Sequence, residues 1–229
     1  MEVNRTEQKI IISQKERLLV ENKLQKIMPR DEHCKNSAGY EIRTLYFDSL
    51  SDRCCAEKEE GLKVHEKIRI RIYGTDDSVI KLESKRKDGE HQIKKSMLIS
   101  REVMEELVRG HYDILLKEDN PQAAYFFEKL SRGMMPKVII QYQRLSYCLP
   151  VNNIRITFDS DIRATESCMD LFKEHLLTYP IFPLDKVILE VKYNNFLFGY
   201  IKNALRIVKK SPSSFSKYFS GRMFYRHMV

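Results

Sequence analysis

Arginine recurs at alternate positions along this chain, and that spacing points to the binding of anions. Glu66 to Tyr73 reads E-K-I-R-I-R-I-Y: Lys67, Arg69, Arg71 and Tyr73 share one side of an extended strand, and Ile68, Ile70 and Ile72 share the other. Arg155, Thr157 and Asp159 oppose Ile154, Ile156 and Phe158 in the same manner. Two arginines two positions apart on a strand lie about 6–7 Å apart, a rise that resembles the spacing along a short phosphate chain. Their planar guanidinium forks grip phosphate oxygens in pairs and stay charged at all relevant pH. Other alternating stretches add Arg5, Glu7 and Lys9, then Lys81, Glu83, Lys85 and Lys87, then Arg144, and finally Glu190 and Lys192. Carboxylates set among such cations are candidate oxygen ligands for a hard divalent metal. Phosphoryl transfer asks a protein mainly for alignment and charge neutralisation, which is what this residue set offers.

The elements that must position these side chains are mostly strands. Arg5 to Ile12, Tyr40 to Asp48, Glu66 to Tyr73, Val79 to Lys87, Lys137 to Tyr147, Asn153 to Asp159 and Val187 to Tyr193 are β-rich or alternate with period two. Helical patterns fill other gaps. Ser13 to Met28 starts with a capping serine, and Ser100 to Gly110 opens with a serine and ends at a glycine. Pro121 to Gly133 carries proline in its first turn. Ser167 to Leu177 and Asn194 to Lys209 complete the expected helices. Many strands with few helices between them predict an α+β fold built on an antiparallel sheet, not a parallel doubly wound one.

An ordinary antiparallel sheet also alternates apolar and polar residues, with the polar side in water. Here charge appears on nearly every strand. If the sheet closes into a barrel with those sides inward, the interior is a cationic tunnel and the apolar sides turn out to be covered by helices. Alternation alone does not say which side is inside. The plain alternatives are an ion pair between Glu190 and Lys192, a solvated run at Lys94–Lys95, helix-end charge at Lys209–Lys210, and a strand-end cap at Asp159.

Forty Lys and Arg against 32 Asp and Glu give a net charge of +8 in 229 residues, which favours anionic partners. Apolar residues make up 42%, enough for a core, and no linker or repeat divides the chain, so one domain over 1–229 is expected. Five cysteines, Cys34, Cys54, Cys55, Cys148 and Cys168, include no CxxC pair, which predicts free thiols and a cytoplasmic location. No apolar leader and no stretch of about 18 apolar residues is present, so no membrane span is expected, and recruitment by a membrane-associated partner stays open. A phosphate-binding G-x-x-x-x-G-K-[ST] loop, a Ser-His-Asp or Cys-His signature, metal-spaced histidines and nucleic-acid motifs are all absent.

The ordered motifs resemble the VTC domain, the polyphosphate polymerase domain of the vacuolar transporter chaperone family, in its bacterial stand-alone type. That domain is one of the triphosphate tunnel metalloenzymes, with the CYTH proteins. The matching stretches are Arg5-Thr-Glu7-Gln-Lys9, Leu45-Tyr46-Phe47-Asp48, Lys67-Ile-Arg69-Ile-Arg71-Ile-Tyr73-Gly74, Lys81-Leu-Glu83-Ser-Lys85-Arg86-Lys87, Tyr142-Gln-Arg144, Arg155-Ile-Thr157-Phe158-Asp159, Leu189-Glu190-Val191-Lys192-Tyr193 and Ser214-Phe215-Ser216-Lys217-Tyr218. Together they span about residues 4–220.

The resemblance implies a closed antiparallel β-barrel, the triphosphate tunnel fold, with a polar interior and helices packed outside. It implies ATP-dependent synthesis of inorganic polyphosphate with Mn2+ or Mg2+. Arg69, Arg71, Lys85, Arg144, Arg155 and Lys217 fall on catalytic phosphate-binding positions, and Lys9, Lys81, Lys95 and Lys192 on further substrate contacts. Lys94 also matches a basic position. Glu190 matches the metal-holding glutamate, with Glu7 and Glu83 as second acidic groups. A tripolyphosphatase or nucleoside triphosphatase, in which water replaces the chain end, and a non-catalytic polyphosphate-binding module are the competing readings. The chain departs from the family pattern at Ile10, where an aromatic is common, and in Asn194 to Tyr200, which lacks the usual Pro-x-Trp element.

Overall fold

The computed structural model describes residues 5–34, 36–89, 91–208 and 211–226. The expected charge at Lys209–Lys210 lies outside these residues. The strands are β1 (Arg5–Ser13), β2 (Tyr40–Ser49), β3 (Val64–Tyr73), β4 (Asp76–Asp88), β5 (His91–Ile99), β6 (Met134–Leu149), β7 (Ile154–Thr165), β8 (Tyr179–Pro180) and β9 (Lys186–Asn194). The helices are α1 (Gln14–Leu24), α2 (Arg53–Glu59), α3 (Arg101–Arg109), α4 (Ala123–Leu130), α5 (Gly199–Ala204) and α6 (Lys217–Arg226). The fold is α+β. The antiparallel strands hydrogen-bond in the order β1-β9-β7-β6-β2-β3-β4-β5, with β8 attached to β7.

Every stretch read as alternating becomes a strand. β5 was not expected, because its Lys94-Lys95 pair reads as a solvated run; it forms because it ladders onto β4 from Ile80↔Ile99 to Asp88↔His91. At α1 and α3 the capping serines set the helix starts as expected, whereas α4 begins at Ala123, after Pro121, without a side-chain cap. The Ser13 hydroxyl accepts from the Glu16 backbone N–H at 3.2 Å while the Ser13 N–H donates to the Glu16 carboxylate at 2.8 Å. The Ser100 hydroxyl accepts from Val103 N–H, and Gly110, with φ of 90°, closes α3.

Two expected helices need correction. Ser167 to Leu177 forms turns, not a helix. The buried Arg43 guanidinium donates to the carbonyls of Leu171 at 3.0 Å and Lys173 at 2.6 Å, so these oxygens serve a side chain in place of a helical ladder. In Asn194 to Lys209, the helix shrinks to α5 followed by a 3-10 turn over Leu205–Ile207.

The chain forms two compact units. The first comprises Met1–Glu41, Tyr142–Ile162 and Phe182–Ser216; the second comprises Ile42–Gln141, Arg163–Ile181 and Lys217–Val229. In the first unit, Ile10, Ile12, Ile156, Phe158, Leu189 and Val191 form one core with Val20 and Leu24 of α1 and Ile201 of α5. The apolar side of these strands is therefore the helix-covered side, and the charged side is the other. Gly39 (φ 81°) lets the chain pass close to Arg144, where a Cβ would stand 2.0 Å from its carbonyl oxygen.

In the second unit, Ile68, Ile70, Ile72, Ile80, Leu82, Met97 and Ile99 are buried, together with Val103 and Leu107 of α3 and Phe126 and Leu130 of α4. α2 packs on β3 and α3 on β4. The buried Asp48 carboxylate accepts from the N–H groups of Cys54 at 2.9 Å and Cys55 at 3.2 Å, in the first turn of α2.

Candidate functional site

The second unit carries a cationic face. Register places Arg69 opposite Glu83, Arg71 opposite Lys81 and Lys67 opposite Lys85 across β3 and β4, and Lys94 opposite Lys85 across β4 and β5. Directly opposed residues share a face, so Lys67, Arg69, Arg71, Lys81, Lys85 and Lys94 lie on one face with the Glu83 carboxylate among them. Arg69 reaches Glu83 at 2.8 Å, Lys94 at 2.5 Å and Arg71 at 3.7 Å. Burial pushes the Glu83 carboxyl up, but Arg69, Arg71 and Lys94 outweigh it and bring it down to about 2.

Two phenols on this face, Tyr46 and Tyr73, register the same positive field, whereas burial and the Asp48 carboxylate push the neighbouring Tyr218 up. Tyr46 is buried and its hydroxyl accepts from Arg69 Nη1 at 3.3 Å. Burial raises its pKa, yet Arg69, Arg71 and Lys67 bring it below the usual tyrosine value. Tyr73 is likewise raised by burial and drawn below its usual value by Arg71 and Lys81. A buried phenol that ionises more readily than one in water marks a place that stabilises negative charge. Tyr218 of α6 donates its hydroxyl to Asp48, its ring lies 5.1 Å from that of Tyr46, and Lys67 Nζ sits 5.9 Å from the same ring. These contacts anchor the first turn of α6, which starts at Lys217.

The first unit carries a balanced set of charges. Lys9 Nζ lies 3.1 Å from Glu7 and 3.6 Å from Glu190, and Lys192 Nζ lies 3.0 Å from Glu190 and 3.8 Å from Glu7. Burial pushes Glu190 up, but Lys192, the Glu7 contact, Lys9 and Arg144 hold it well below the usual carboxylate range. Burial lowers the Lys192 ammonium, against the pull of Glu190 and Glu7. Arg144 clasps Asp159 and lies over the Tyr142 ring, 5.3 Å from its centre. Burial lowers the Arg144 pKa and Asp159 raises it, with Asp159 prevailing. Arg155 donates to Asp31 at 2.9 Å, Tyr40 at 3.0 Å and Ser146 at 3.1 Å.

The structure thus brings Arg69, Arg71, Lys81 and Lys85 together in the second unit, and Glu7, Lys9, Glu190 and Lys192 together in the first, where Arg144 and Arg155 also lie. Lys95 is corrected. It stands opposite Ser84, on the helix-covered side, and its ammonium lies 3.7 Å from the centre of the Tyr125 ring; Lys94 is the lysine that joins the cationic face. The ion pair weighed for Glu190 and Lys192 is present. Asp159 is no strand-end cap, because it is the buried counterion of Arg144.

Both oxygens of Glu83 and both oxygens of Glu190 are engaged by cations, which a metal at either would have to displace; Glu190 differs in having a second carboxylate, Glu7, beside it. Glu7 and Glu190 stand near the same two ammoniums and offer two oxygen donors side by side. No group of three or more His, Cys, Asp or Glu able to hold a metal exists among the described residues. A glutamate pair fits a cation that takes its remaining oxygens from phosphate and water, as Mg2+ commonly does.

Sequence reasoning did not reach Asp31 or Tyr40, which hold Arg155, because neither sits in an alternating charged run. Tyr46 and Lys67 lie within the family-like motifs, where residue type alone assigns them no role.

Two solved structures share this architecture along nearly their whole lengths. One is a Hippeastrum protein classed as an adenylyl cyclase candidate and described as having a dominant triphosphatase activity; it is 15% identical, with a TM-score of 0.59 over 98% of this chain and 96% of that one. The other is an adenylate cyclase candidate from Bacillus halodurans, 8% identical, with a TM-score of 0.52 over 91% of this chain and 92% of that one. These likenesses define the class as the triphosphate tunnel fold. The chain belongs to the VTC domain family, whose model matches residues 4–225. A comparison with curated proteins finds no match. Among the described residues, no helix is long and apolar enough to cross a membrane.

Proposed function

We propose that this chain is an ATP-dependent polyphosphate polymerase that works with Mn2+ or Mg2+. The observation that supports it is the row of six cations that shares one face of β3, β4 and β5 with Glu83, of which Arg69, Arg71 and Lys94 contact that carboxylate. In this reading Arg69, Arg71, Lys81, Lys85, Lys94 and Lys217 bind phosphates in the second unit, and Lys9, Arg144, Arg155 and Lys192 do so in the first. Glu190, with Glu7, holds the divalent cation, which supplies further neutralisation of phosphate charge. The terminal oxygen of the polyphosphate chain attacks the γ-phosphorus of ATP in line. One P–O bond forms, the bond to the β-phosphate oxygen breaks, and ADP leaves. The arginine forks hold the non-bridging oxygens and align the attack. Five free thiols support a cytoplasmic setting.

Incubation with ATP and manganese tests the reaction: a ladder of long polyphosphate on a gel is expected, and Arg71→Ala and Glu190→Gln should fold and lose turnover. Hydrolysis of triphosphates is the second reading, favoured by the activity named for the Hippeastrum protein of the same fold. It yields orthophosphate without a ladder. Tight binding with neither product would leave a non-catalytic polyphosphate-binding module.

A further inference from the structure

On the charged face of the second unit, Thr44 of β2 stands directly opposite Arg71 of β3. Thr44 is 1% exposed, and its Oγ1 has no hydrogen-bond partner among the described residues. Arg71 Nε is in the same condition, although Nη1 of the same guanidinium lies 3.7 Å from Glu83. Buried hydroxyl and guanidinium donors almost always find an acceptor, and each exception calls for an explanation. Two such donors at opposed positions, with Cβ atoms about 4.5–5.5 Å apart, are placed to share one.

The surroundings select its charge. Lys81 is opposite Arg71 on the other flank, with its ammonium 5.4 Å from the centre of the Tyr73 ring. A group bound here meets two cations and a hydroxyl, with the Glu83 carboxylate nearby. A tetrahedral oxyanion meets those demands, because it offers separate oxygens to the hydroxyl and to the guanidinium.

We propose that Thr44 is a substrate-contacting residue, whose hydroxyl and the Arg71 Nε–H donate to oxygens of one phosphoryl group. This rests on the reading of the cationic face as a phosphate site and adds a subsite at its Arg71 end. The hydroxyl supplies direction without charge: it fixes how the phosphoryl group is turned, while the lysines and arginines hold it.

Isothermal titration of the full chain with inorganic tripolyphosphate tests the subsite. Thr44→Val keeps the shape of the side chain and deletes the donor, so binding should weaken about tenfold, as loss of a hydrogen bond to a charged group implies. Thr44→Ser keeps the donor and should bind within about twofold of wild type. The ligand-free Thr44→Val protein should melt no lower than wild type, because it loses a buried polar group that had no partner. Thr44→Val binding as tightly as wild type overturns the subsite and leaves the phosphate reading of the face intact. Equal weakening in Thr44→Ser and Thr44→Val overturns it too, since the hydroxyl would then not be the cause. A wild-type chain that does not bind tripolyphosphate overturns both.

Discussion

Arg144 and Asp159 meet through two parallel hydrogen bonds, Nε to Oδ1 at 2.7 Å and Nη2 to Oδ2 at 2.8 Å, with both side chains buried. A fork of this kind sets the plane of the guanidinium as well as its charge. It also makes the arginine a structural partner before it is anything else.

Arg144→Ala should therefore leave the Asp159 charge uncompensated and cost about 3–5 kcal/mol of stability. Arg144→Lys should recover only part of that, because an ammonium cannot reproduce the fork. Urea denaturation gives the stability. Turnover per folded molecule then separates a phosphate-binding role from lost folding.

Lys94 and Lys95 are neighbours in sequence with opposite surroundings. Lys94→Ala should weaken tripolyphosphate binding several-fold, because it removes a cation from the row around Glu83. Lys95→Ala should leave binding unchanged, because that ammonium lies over Tyr125 on the helix-covered side. Titration calorimetry of both variants checks the assignment, and the reverse result would refute a phosphate-binding role for the Lys94 side of β5.

Glu83 competes with the proposed substrate for Arg69, Arg71 and Lys94. Glu83→Gln should lower the stability of the free protein by a few kcal/mol, since three cations lose their shared counterion. It should also tighten tripolyphosphate binding. Thermal melts with and without tripolyphosphate should show a larger ligand-induced rise in the variant than in wild type.

Acid should reveal the same carboxylate. Glu83 ionises at about 2 in the folded protein, against a usual value of 4.5. Its contribution is fully present above the usual value and disappears as pH falls from there toward the folded value. Wild type should therefore lose up to roughly 3 kcal/mol through this group over that window. Urea melts at about pH 6 and about pH 2.5 measure the loss, and Glu83→Gln should show a correspondingly flatter dependence.

Much of the scaffold was legible in the residues. Ile68, Ile70 and Ile72 against Arg69 and Arg71 mark β3 without ambiguity, and Ser100 with Gly110 brackets α3. Ser167 to Leu177 misled because its residues suit a helix, while the buried Arg43, far away in sequence, claims the carbonyls of Leu171 and Lys173. β5 was hidden for a related reason: a strand that carries Lys94 and Lys95 in succession shows its period only once β4 lies beside it.

The sequence by itself determined that this chain builds charged strands with arginines two apart, and that its motifs follow the VTC order. Period-two alternation states that two residues lie on opposite sides; it does not state which side the helices cover. Only the tertiary structure decided that the isoleucine sides of β3 and β4 go under helices. It also chose Lys94 over Lys95, gave Asp31 to Arg155, and set the Thr44 hydroxyl beside Arg71. Those outcomes depend on ladder register and on contacts between residues distant in the chain, and no local pattern encodes either.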